Sequence, residues 1–257
     1  MVVINKATCV GCGKCAADCV AMNLSVKSGK AELTGECLQC GHCVAVCPAN
    51  SVSIPEYDMG EVQDVGHNCG LTIDTLLQGI KARRSIRYYL TNKIERDKLE
   101  NIIQAGRYTA SGANRQACKF IVVQDQMERL KQFVWRGVEK AVANGLEDAG
   151  PLKRLVDLRN EKGIDYLFRN APAILYIAAE SIWDAGLAAQ NIELALVAQG
   201  LGALYNGFLV RSTMFSEEAK ALLQLDGKPL AVCMLLGYPD VEYARTAPRK
   251  KADVIWL

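Results

Sequence analysis

Apolar side chains recur at helical spacing in several stretches of the chain. Between positions 72 and 83 they lie three to four residues apart, which predicts a helix with Thr72 or Asp74 as its N-cap. The same spacing predicts helices over residues 99–110 and 127–145.

A further long helix is predicted over residues 184–199. Five apolar residues are expected to share one of its faces: Trp183, Leu187, Leu194, Ala198 and Leu201. Asn191 falls on this apolar stripe, so we expect it to make a buried packing contact. Gly200 and Gly202 are expected to end the helix.

Three apolar runs are too short for helices and read as strands. They cover residues 119–125, 173–180 and 229–239, and the last two are apolar enough to be buried strands. Because the strands alternate with helices, the pattern predicts a sheet with helices packed on it, in an α+β fold. No GxGxxG motif follows a strand and no P-loop is present, so neither a Rossmann nicotinamide site nor a P-loop nucleotide site is indicated.

Composition and charge narrow the possible partners. The chain has 257 residues, is 50% hydrophobic and carries a formal net charge of +2. Nothing in this balance indicates nucleic acid or a membrane surface as a partner, and no apolar run reaches the ~18 residues of a spanning helix. The N-terminus has no secretory signal pattern, so a cytoplasmic protein is expected.

Cysteine spacing is the strongest chemical signal. Eight of the eleven cysteines form two copies of C-x2-C-x2-C-x3-C, offset by 28 residues: Cys9, Cys12, Cys15 and Cys19, then Cys37, Cys40, Cys43 and Cys47. This spacing is typical of two [4Fe–4S] clusters, in which the fourth cysteine of each run ligates the other cluster. We therefore assign Cys9, Cys12, Cys15 and Cys47 to one cluster and Cys19, Cys37, Cys40 and Cys43 to the other.

Other uses of these cysteines fit less well. Structural zinc sites usually need two CxxC pairs with a long spacer, and disulfides are not expected in a chain without a secretory signal. The cluster module is predicted to cover residues 1–55. A polar, glycine-containing stretch over 56–70 reads as a linker, and residues 71–257 form the predicted second domain.

A basic segment lies at the end of the helix predicted over 72–83. Arg83, Arg84 and Arg87 surround Ser85. Guanidinium groups and a hydroxyl suit a phosphate dianion, but a solvated cationic helix end would look the same.

The segment "RRSIRYY" resembles the opening motif of the nitroreductase family of FMN-dependent homodimeric oxidoreductases. Three further segments resemble the same family in the same order: "ASGANRQACKFIVV", "DAGLAAQNIELALVAQGLGALYNGF", and "LLGYP" followed by "APRKK". Together they cover most of residues 80–251. The chain therefore resembles a fusion of a bacterial-type two-cluster ferredoxin domain with a nitroreductase-like domain.

The resemblance implies roles for individual residues. The FMN phosphate and ribityl chain would be held by Arg83, Arg84, Ser85 and Arg87. The flavin would be met from the partner subunit by Ser111, Gly112, Asn114 and Gln116. Gly207 would offer a backbone N–H near flavin N5. Arg249 would complete the phosphate site, or it is a solvated charge in the tail.

One departure from the family pattern affects substrate specificity. The family loop often continues with Pro-Trp, whereas this chain has Ala117 and Cys118. The substrate shape therefore does not carry over, and Cys118 is either a buried inert thiol or a group near the flavin. The sequence offers no obvious general acid, so no catalytic side chain is assigned; the proton would come from water or flavin N5.

The combined pattern predicts an FMN-dependent homodimeric oxidoreductase. It would take electrons through two [4Fe–4S] clusters and reduce an electron-poor small molecule such as a nitroaromatic or a quinone. The expected donor is reduced ferredoxin or a similar low-potential protein, with NAD(P)H as another possibility. A non-catalytic electron-transfer protein that serves a protein partner is the alternative, and a redox sensor is a third hypothesis.

Overall fold

The computed structural model describes residues 1–65 and 70–257. The chain divides into two compact units, one made of residues 1–71 and 111–115, and the other of residues 72–110 and 116–257. Part of the predicted linker over 56–70, including Cys69, lies outside the described residues. The predicted domain limits stay a prediction.

The first unit consists of two similar halves. Its elements are strand β1 (Val3–Ile4), helix α1 (Lys14–Ala17), strands β2 (Leu24–Lys27) and β3 (Lys30–Leu33), helix α2 (His42–Ala45) and strand β4 (Val52–Ser53). β1 pairs antiparallel with β4, and β2 pairs antiparallel with β3. Because the repeat offset is 28 residues, β4 is the equivalent of β2. The sequence repeat thus becomes a structural repeat of one short helix and one strand pair.

Equivalent glycines begin the two short helices. Gly13 precedes α1 with φ 76° and ψ −5°, and Gly41 precedes α2 with φ 78° and ψ −6°. Both are left-handed backbone conformations that glycine adopts without steric cost. The chain therefore turns in the same way between the second and third cysteine of each motif.

The second unit is a four-stranded sheet between two helical layers. Its helices are α3 (Ile73–Ala82), α4 (Arg96–Arg107), α5 (Met127–Ala143), α6 (Lys153–Lys162), α7 (Ile182–Ala198), α8 (Gly207–Met214) and α9 (Glu217–Leu222). Its strands are β5 (Lys119–Val123), β6 (Ala173–Ala178), β7 (Gly202–Tyr205) and β8 (Leu230–Gly237). The sheet order is β5-β6-β8-β7, and every neighbouring pair is antiparallel.

Strand β6 is buried on both faces. Leu175 and Ile177 point into the core formed with α4 and α7. Ile174 and Tyr176 point into the opposite core, formed with α5, α6, α8 and α9. This arrangement explains why β6 is a continuous apolar run rather than an alternating one. It also confirms the predicted α+β fold.

Helix α3 forms as predicted, with Thr72 as its N-cap. The hydroxyl oxygen of Thr72 accepts a hydrogen bond from the N–H of Thr75 at 3.2 Å, which satisfies a donor left over at the helix start. None of the residues of α3 is buried in this single chain, so its apolar stripe is exposed.

The predicted apolar face of the helix over residues 184–199 was wrong in detail. Helix α7 ends at Ala198, so Leu201 lies beyond it, and Gly202 belongs to β7 instead of closing the helix. Trp183 and Leu187 are exposed, whereas small residues such as Ala185 and Ala189 face the core. The helix is apolar around much of its circumference, so the choice of buried face depended on which side could approach the sheet closely.

Asn191 was also misplaced by the sequence analysis. The structure exposes it, and its Nδ2 donates to the Thr109 hydroxyl at 2.7 Å instead of packing in the core. The short strand β7 and helices α6, α8 and α9 were not predicted. Within residues 1–65 and 70–257, no helix has both the length and the apolar character to cross a membrane.

Candidate functional site: two thiol-lined cavities and an arginine-rich segment

The eight motif cysteines surround two cavities in the first unit. One cavity, called the Cys9 cavity below, is lined by Cys9, Cys12, Cys15 and Cys47. The other, called the Cys37 cavity, is lined by Cys19, Cys37, Cys40 and Cys43. The structure therefore brings the thiols together in the two sets of four that the sequence predicts.

Each cavity takes its fourth thiol from the other half of the repeat. Cys47 reaches the Cys9 cavity and Cys19 reaches the Cys37 cavity, so the halves are cross-linked wherever a cluster is held. In the part of the chain that the structure describes, no group of three or more His, Cys, Asp or Glu side chains converges on a single-ion position. Four thiols around an open space suit a four-iron cluster, which needs one outer ligand for each iron.

Backbone N–H groups point at the sulfur atoms. Ala31 N donates to Cys9 Sγ at 3.4 Å, Gln39 N to Cys37 Sγ at 3.3 Å, and Ser51 N to Cys47 Sγ at 3.3 Å. Such hydrogen bonds stabilise the negative charge on a ligating thiolate and are one of the features that tune a cluster.

The thiols differ in how readily they lose a proton. Burial raises the pKa of Cys43 to about 11, and it also raises the pKa of Cys15. Hydrogen bonds from the backbone N–H groups of Ala31 and Gly11 lower the pKa of Cys9. Because metal ligation requires thiolates, cluster assembly in this unit must release protons, most of all from the buried thiols.

Gly11 allows the first cysteine loop to touch the β2–β3 turn. A Cβ atom on Gly11 would lie 2.1 Å from the carbonyl oxygen of Gly29, and Gly11 has φ +65°. Gly41 has a similar φ of +78° but nothing within 4 Å of its Cβ position. Alanine at position 11 would therefore introduce both backbone strain and steric overlap, whereas alanine at position 41 would introduce backbone strain alone.

We expect Gly11→Ala to lose much more iron than Gly41→Ala. Both variants must place alanine in a left-handed conformation, at a cost of about 1–2 kcal/mol, but only Gly11→Ala also forces two backbone segments apart. Iron and acid-labile sulfide are measured after anaerobic purification of both variants. Equal iron retention would mean that the contact with Gly29 is unimportant for holding a cluster.

In the second unit, the arginine-rich segment lies beside β7. Ser85 forms a parallel bridge with Ala203, and Ile86 N donates to Ala203 O at 2.9 Å. Strand β7 leads directly to Gly207, so residues more than a hundred positions apart meet at one edge of the sheet. Gly207 has open space at its Cβ position, which leaves room for a ligand to approach its backbone.

Two arginines of this segment are held differently. Arg83 Nη1 donates to Glu193 Oε1 at 3.1 Å, and the Glu193 side chain is only 3% exposed. Arg84 Nη1 donates to Lys81 O at 3.0 Å and also to Arg83 O, whereas its Nη2 is buried without a partner among the described residues. A buried guanidinium donor without an acceptor fits a site for an anionic group such as a phosphate.

The remaining arginines are exposed. Arg87 Nη1 donates to Ser85 O at 3.2 Å. Arg249 lies in the terminal tail, and within the described residues it hydrogen-bonds only the carbonyl oxygen of Pro248, at 3.1 Å. The structure therefore gathers Arg83, Arg84, Ser85 and Gly207 near β7, but it does not bring Arg249 into contact with them.

The loop over residues 111–116 carries unusual backbone conformations. Ala113, Asn114 and Gln116 have φ of 52°, 53° and 49°, and each costs free energy in a residue other than glycine. Ser111, Gly112 and Asn114 belong to the first unit, whereas Gln116 belongs to the second. Within the first unit, Asn114 Nδ2 donates to the carbonyl oxygen of Gln39 at 2.9 Å.

A match to the model of the nitroreductase family covers residues 80–238. The chain belongs to the nitroreductase family. A second model, that of a 4Fe-4S dicluster domain, matches residues 1–48. The two matches confirm the prediction of an oxidoreductase that joins an N-terminal 4Fe-4S dicluster domain to a nitroreductase domain.

Relatives of known name or structure agree with this assignment. An NADPH-flavin oxidoreductase from Vibrio harveyi is 29% identical over 185 residues, which is 72% of this chain and 72% of that protein. A nitroreductase with bound FMN from Bacteroides fragilis has a TM-score of 0.57 and 23% identity, and the match covers 71% of this chain and 97% of that one. A nitroreductase with bound FMN from Desulfitobacterium hafniense has a TM-score of 0.56 and 24% identity, over 70% and 97%.

Sequence reasoning missed two residues of this nitroreductase-family site. Glu193 carries a carboxylate in the apolar second half of helix α7, and that mismatch was the available signal. Asn206 is buried, and its side chain connects two segments: Oδ1 accepts from Leu209 N at 3.0 Å, and Nδ2 donates to Leu167 O at 2.7 Å. It caps helix α8 and thereby fixes the backbone of Gly207.

The site also contains a tyrosine with a shifted pKa. Burial, and then the charge of Glu193, raise the pKa of Tyr205. Its phenol therefore stays protonated at neutral pH. With Arg83, Arg84 and the peptide of Gly207, it makes this edge of the sheet rich in hydrogen-bond donors.

Proposed function

We propose that the protein is an FMN-dependent oxidoreductase that receives electrons through its own two [4Fe–4S] clusters and reduces an electron-poor acceptor such as a nitroaromatic or a quinone. The observation that carries the proposal is the pair of complete four-thiol cavities in a chain of the nitroreductase family. A reductase that draws its electrons only from a soluble nucleotide has no use for two such sites.

The proposal divides the chain by chemistry. Residues 1–55 hold the clusters, residues 56–70 form the linker, and residues 71–257 form the flavin domain. FMN, when bound, would connect one-electron supply with two-electron reduction. Arg83, Arg84, Ser85 and Arg87 are the candidate holders of its phosphate and ribityl chain. The support from the structure is the buried Nη2 of Arg84, which has no partner among the described residues.

Three other groups complete the proposed flavin site. Gly207 offers its N–H at the start of α8, with space in front of it. Ser111, Gly112, Asn114 and Gln116 form a strained loop, and strained loops are often found at functional sites. Arg249 would have to move from its contact with Pro248 to reach a phosphate. No side chain is proposed as the proton donor.

We also propose a homodimer in the cytoplasm. Trp183 is 81% exposed and Leu187 is 53% exposed on the outer side of α7, and water-exposed apolar residues on one helix favour a second copy as their cover. The donor would be reduced ferredoxin or a similar low-potential protein, with NAD(P)H as the alternative. One-electron donors would deliver their electrons to the clusters.

A second candidate function is electron transfer to a protein partner without reduction of a small molecule. The feature that favours it is the ferredoxin half itself, because two-cluster modules commonly serve other proteins. Asn114 favours the first candidate: by resemblance its loop meets the flavin, and it donates to Gln39, which lies between the cluster cysteines Cys37 and Cys40.

The deciding experiment measures stored electrons. The anaerobic holoprotein is fully reduced, freed of reductant and mixed with a nitroaromatic while cluster and flavin absorbance are recorded. We expect both to reoxidise together and to deliver about four electrons per chain, one from each cluster and two from FMN. A parallel sample without acceptor should stay reduced.

Two other results would contradict the proposed electron path or the proposed acceptor. If flavin absorbance returns while the clusters remain reduced, the clusters do not feed the flavin, and the electron-transfer alternative stands. If neither returns until a partner protein is added, the protein does not reduce this class of acceptor by itself.

A further inference from the structure

The 28-residue repeat allows the surroundings of the two cavities to be compared position by position. Cys9 is equivalent to Cys37, and Cys19 is equivalent to Cys47. If the repeat were exact, the two cavities would have the same electrostatic environment. They do not, because the charged residues next to the ligands differ between the halves.

A lysine contacts the backbone of a cysteine in only one of the two cavities. Lys30, at the start of β3, is half-buried, and its Nζ donates to the carbonyl oxygen of Cys9 at 2.7 Å. The equivalent position in the other half is Val2, which is buried and lines the Cys37 cavity. A cation beside the Cys9 cavity is thus replaced by an apolar side chain beside the Cys37 cavity.

Carboxylates show the opposite distribution. Glu36 lines the Cys37 cavity and precedes Cys37, whereas its equivalent beside Cys9 is Thr8. Asp18 precedes Cys19, which lines the Cys37 cavity, and its equivalent is Val46. One carboxylate, that of Glu36, therefore lines the cavity without the lysine, and a second, that of Asp18, is next in sequence to one of its ligands.

The other nearby charges do not cancel this difference. Lys14 precedes Cys15 of the Cys9 cavity, and its equivalent in the other half is His42. Lys6 Nζ donates to the carbonyl oxygen of Ala31, on the same side as Lys30. Glu32 is neutralised by an ion pair with Lys27 at 2.7 Å.

The β2–β3 hairpin is fixed firmly in this position. Gly11 touches the backbone of Gly29 so closely that no Cβ would fit. Ala31 N also donates to Cys9 Sγ at 3.4 Å. Lys30 is held between these two contacts, so its charge stays near Cys9. Positive charge and N–H donors near a cluster favour its reduced, more negative state, and carboxylates disfavour it.

We propose that the two clusters are electrochemically unequal, with the cluster in the Cys9 cavity reduced more readily than that in the Cys37 cavity, and that Lys30 and Glu36 set the difference. This inference rests on the proposed cluster function of the two cavities. Each cluster takes up one electron from the donor. The first electron would therefore reside in the Cys9 cavity, and the second, held in the Cys37 cavity, would be the stronger reductant.

The test follows the reduction of the anaerobic holoprotein by electron paramagnetic resonance at a series of set potentials. The unaltered chain should show two separate one-electron steps. Lys30→Gln should lower the equilibrium constant of the more readily reduced step about tenfold, or ~59 mV for one electron, and leave the other step nearly unchanged. Glu36→Gln should raise only the equilibrium constant of the less readily reduced step. The expected change is about threefold, because Glu36 is exposed and its charge is screened by solvent.

Lys27→Gln is the matched control. It removes the same charge from the same hairpin, but Lys27 is exposed and bonded to Glu32. Because Lys27 is exposed, both steps should shift by less than Lys30→Gln shifts the more readily reduced step. The proposal is overturned if the two steps coincide in the unaltered chain, if Lys30→Gln and Lys27→Gln shift them equally, or if Lys30→Gln moves the less readily reduced step.

Failure of this proposal can be told apart from failure of the cluster assignment. Iron and acid-labile sulfide in the unaltered protein should each be about eight per chain if both cavities hold a cluster. A lower count refutes the cluster assignment itself, whereas a full count with coincident steps refutes only the inequality. If Lys30→Gln does not retain its cluster, Glu36→Gln decides, and a step unmoved by that substitution overturns the proposal.

Discussion

Replacing Cys43 by alanine is expected to remove about half of the iron, leaving about four atoms per chain instead of about eight. Cys43 is one of the four thiols of the Cys37 cavity, and it is 6% exposed. A cluster that loses a buried ligand has no water-exposed position through which another group could easily replace it. Iron and acid-labile sulfide are measured on anaerobically purified protein.

Cys118→Ala is the matched control for this loss. Cys118 is a half-buried thiol of the second unit and lines neither cavity, so the variant should keep all of its iron. Retention of full iron content by Cys43→Ala would contradict the assignment of this cysteine as a ligand.

The fourth cysteine of each motif lines the cavity of the other motif, and this crossed arrangement can be tested in the same way. Cys19 lies in the first sequence motif but lines the Cys37 cavity. Cys19→Ala should therefore retain the same electron paramagnetic resonance signal as Cys43→Ala. Cys47→Ala should retain the other signal. If Cys47→Ala instead retains the same signal as Cys43→Ala, and Cys19→Ala retains the other, each motif holds its own cluster and the crossed assignment is wrong.

Arg83→Ala is expected to destabilise the second unit by about 3–5 kcal/mol. The substitution leaves the carboxylate of Glu193, which is only 3% exposed, without its cation in the interior. Removing one partner of a buried ion pair is costly because the remaining charge is desolvated and uncompensated. Denaturant unfolding with excess FMN, followed by tryptophan fluorescence, measures the effect, since Trp135, Trp183 and Trp256 all lie in this unit.

Arg87→Ala serves as the control for this ion pair. It removes an arginine from the same segment and from the same proposed phosphate site, but Arg87 is exposed and, among the described residues, donates to the nearby carbonyl oxygen of Ser85. Its cost should stay under about 1 kcal/mol. The double variant Arg83→Met, Glu193→Leu should recover much of the stability lost in Arg83→Ala. Equal costs for the two single alanine variants would show that Glu193 is not a buried counter-charge.

The strands that could be predicted are those with a strong local signal. The runs around Ile174 and Leu235 are apolar at almost every position, because both faces of the sheet are covered by helices. Strand β7 has only four residues, begins at Gly202 and is followed closely by the start of helix α8. Its strand conformation depends on pairing with β8, which is distant in sequence, so no local pattern could reveal it.

The buried face of α7 shows a second limit of sequence reasoning. Large residues such as Trp183 and Leu187 have the strongest apolar signal, yet alanines are buried, because α4 and the sheet approach closely only where side chains are small. The exposed large residues are available to a second copy of the chain. Periodicity identifies an apolar face, but it does not say whether that face is covered within one chain or between two.

The sequence alone was enough to define the chemistry of the first unit and the family of the second. Cysteine ligands lie a few residues apart, so their spacing along the chain reports directly on the cluster that they can hold. The short motifs from Arg83 to Gly207 likewise carry the family resemblance in their local order.

Tertiary structure alone decided what surrounds these groups. The bond from Arg83 to Glu193 joins residues 110 positions apart, and that from Lys30 to the Cys9 carbonyl crosses 21 positions. Whether a charge is paired, and which cavity it faces, depends on packing between distant segments, and electrostatic effects fall with distance in space instead of distance along the chain. For this reason the cysteines were predictable as ligands, whereas the contact of Lys30 with the Cys9 carbonyl was not.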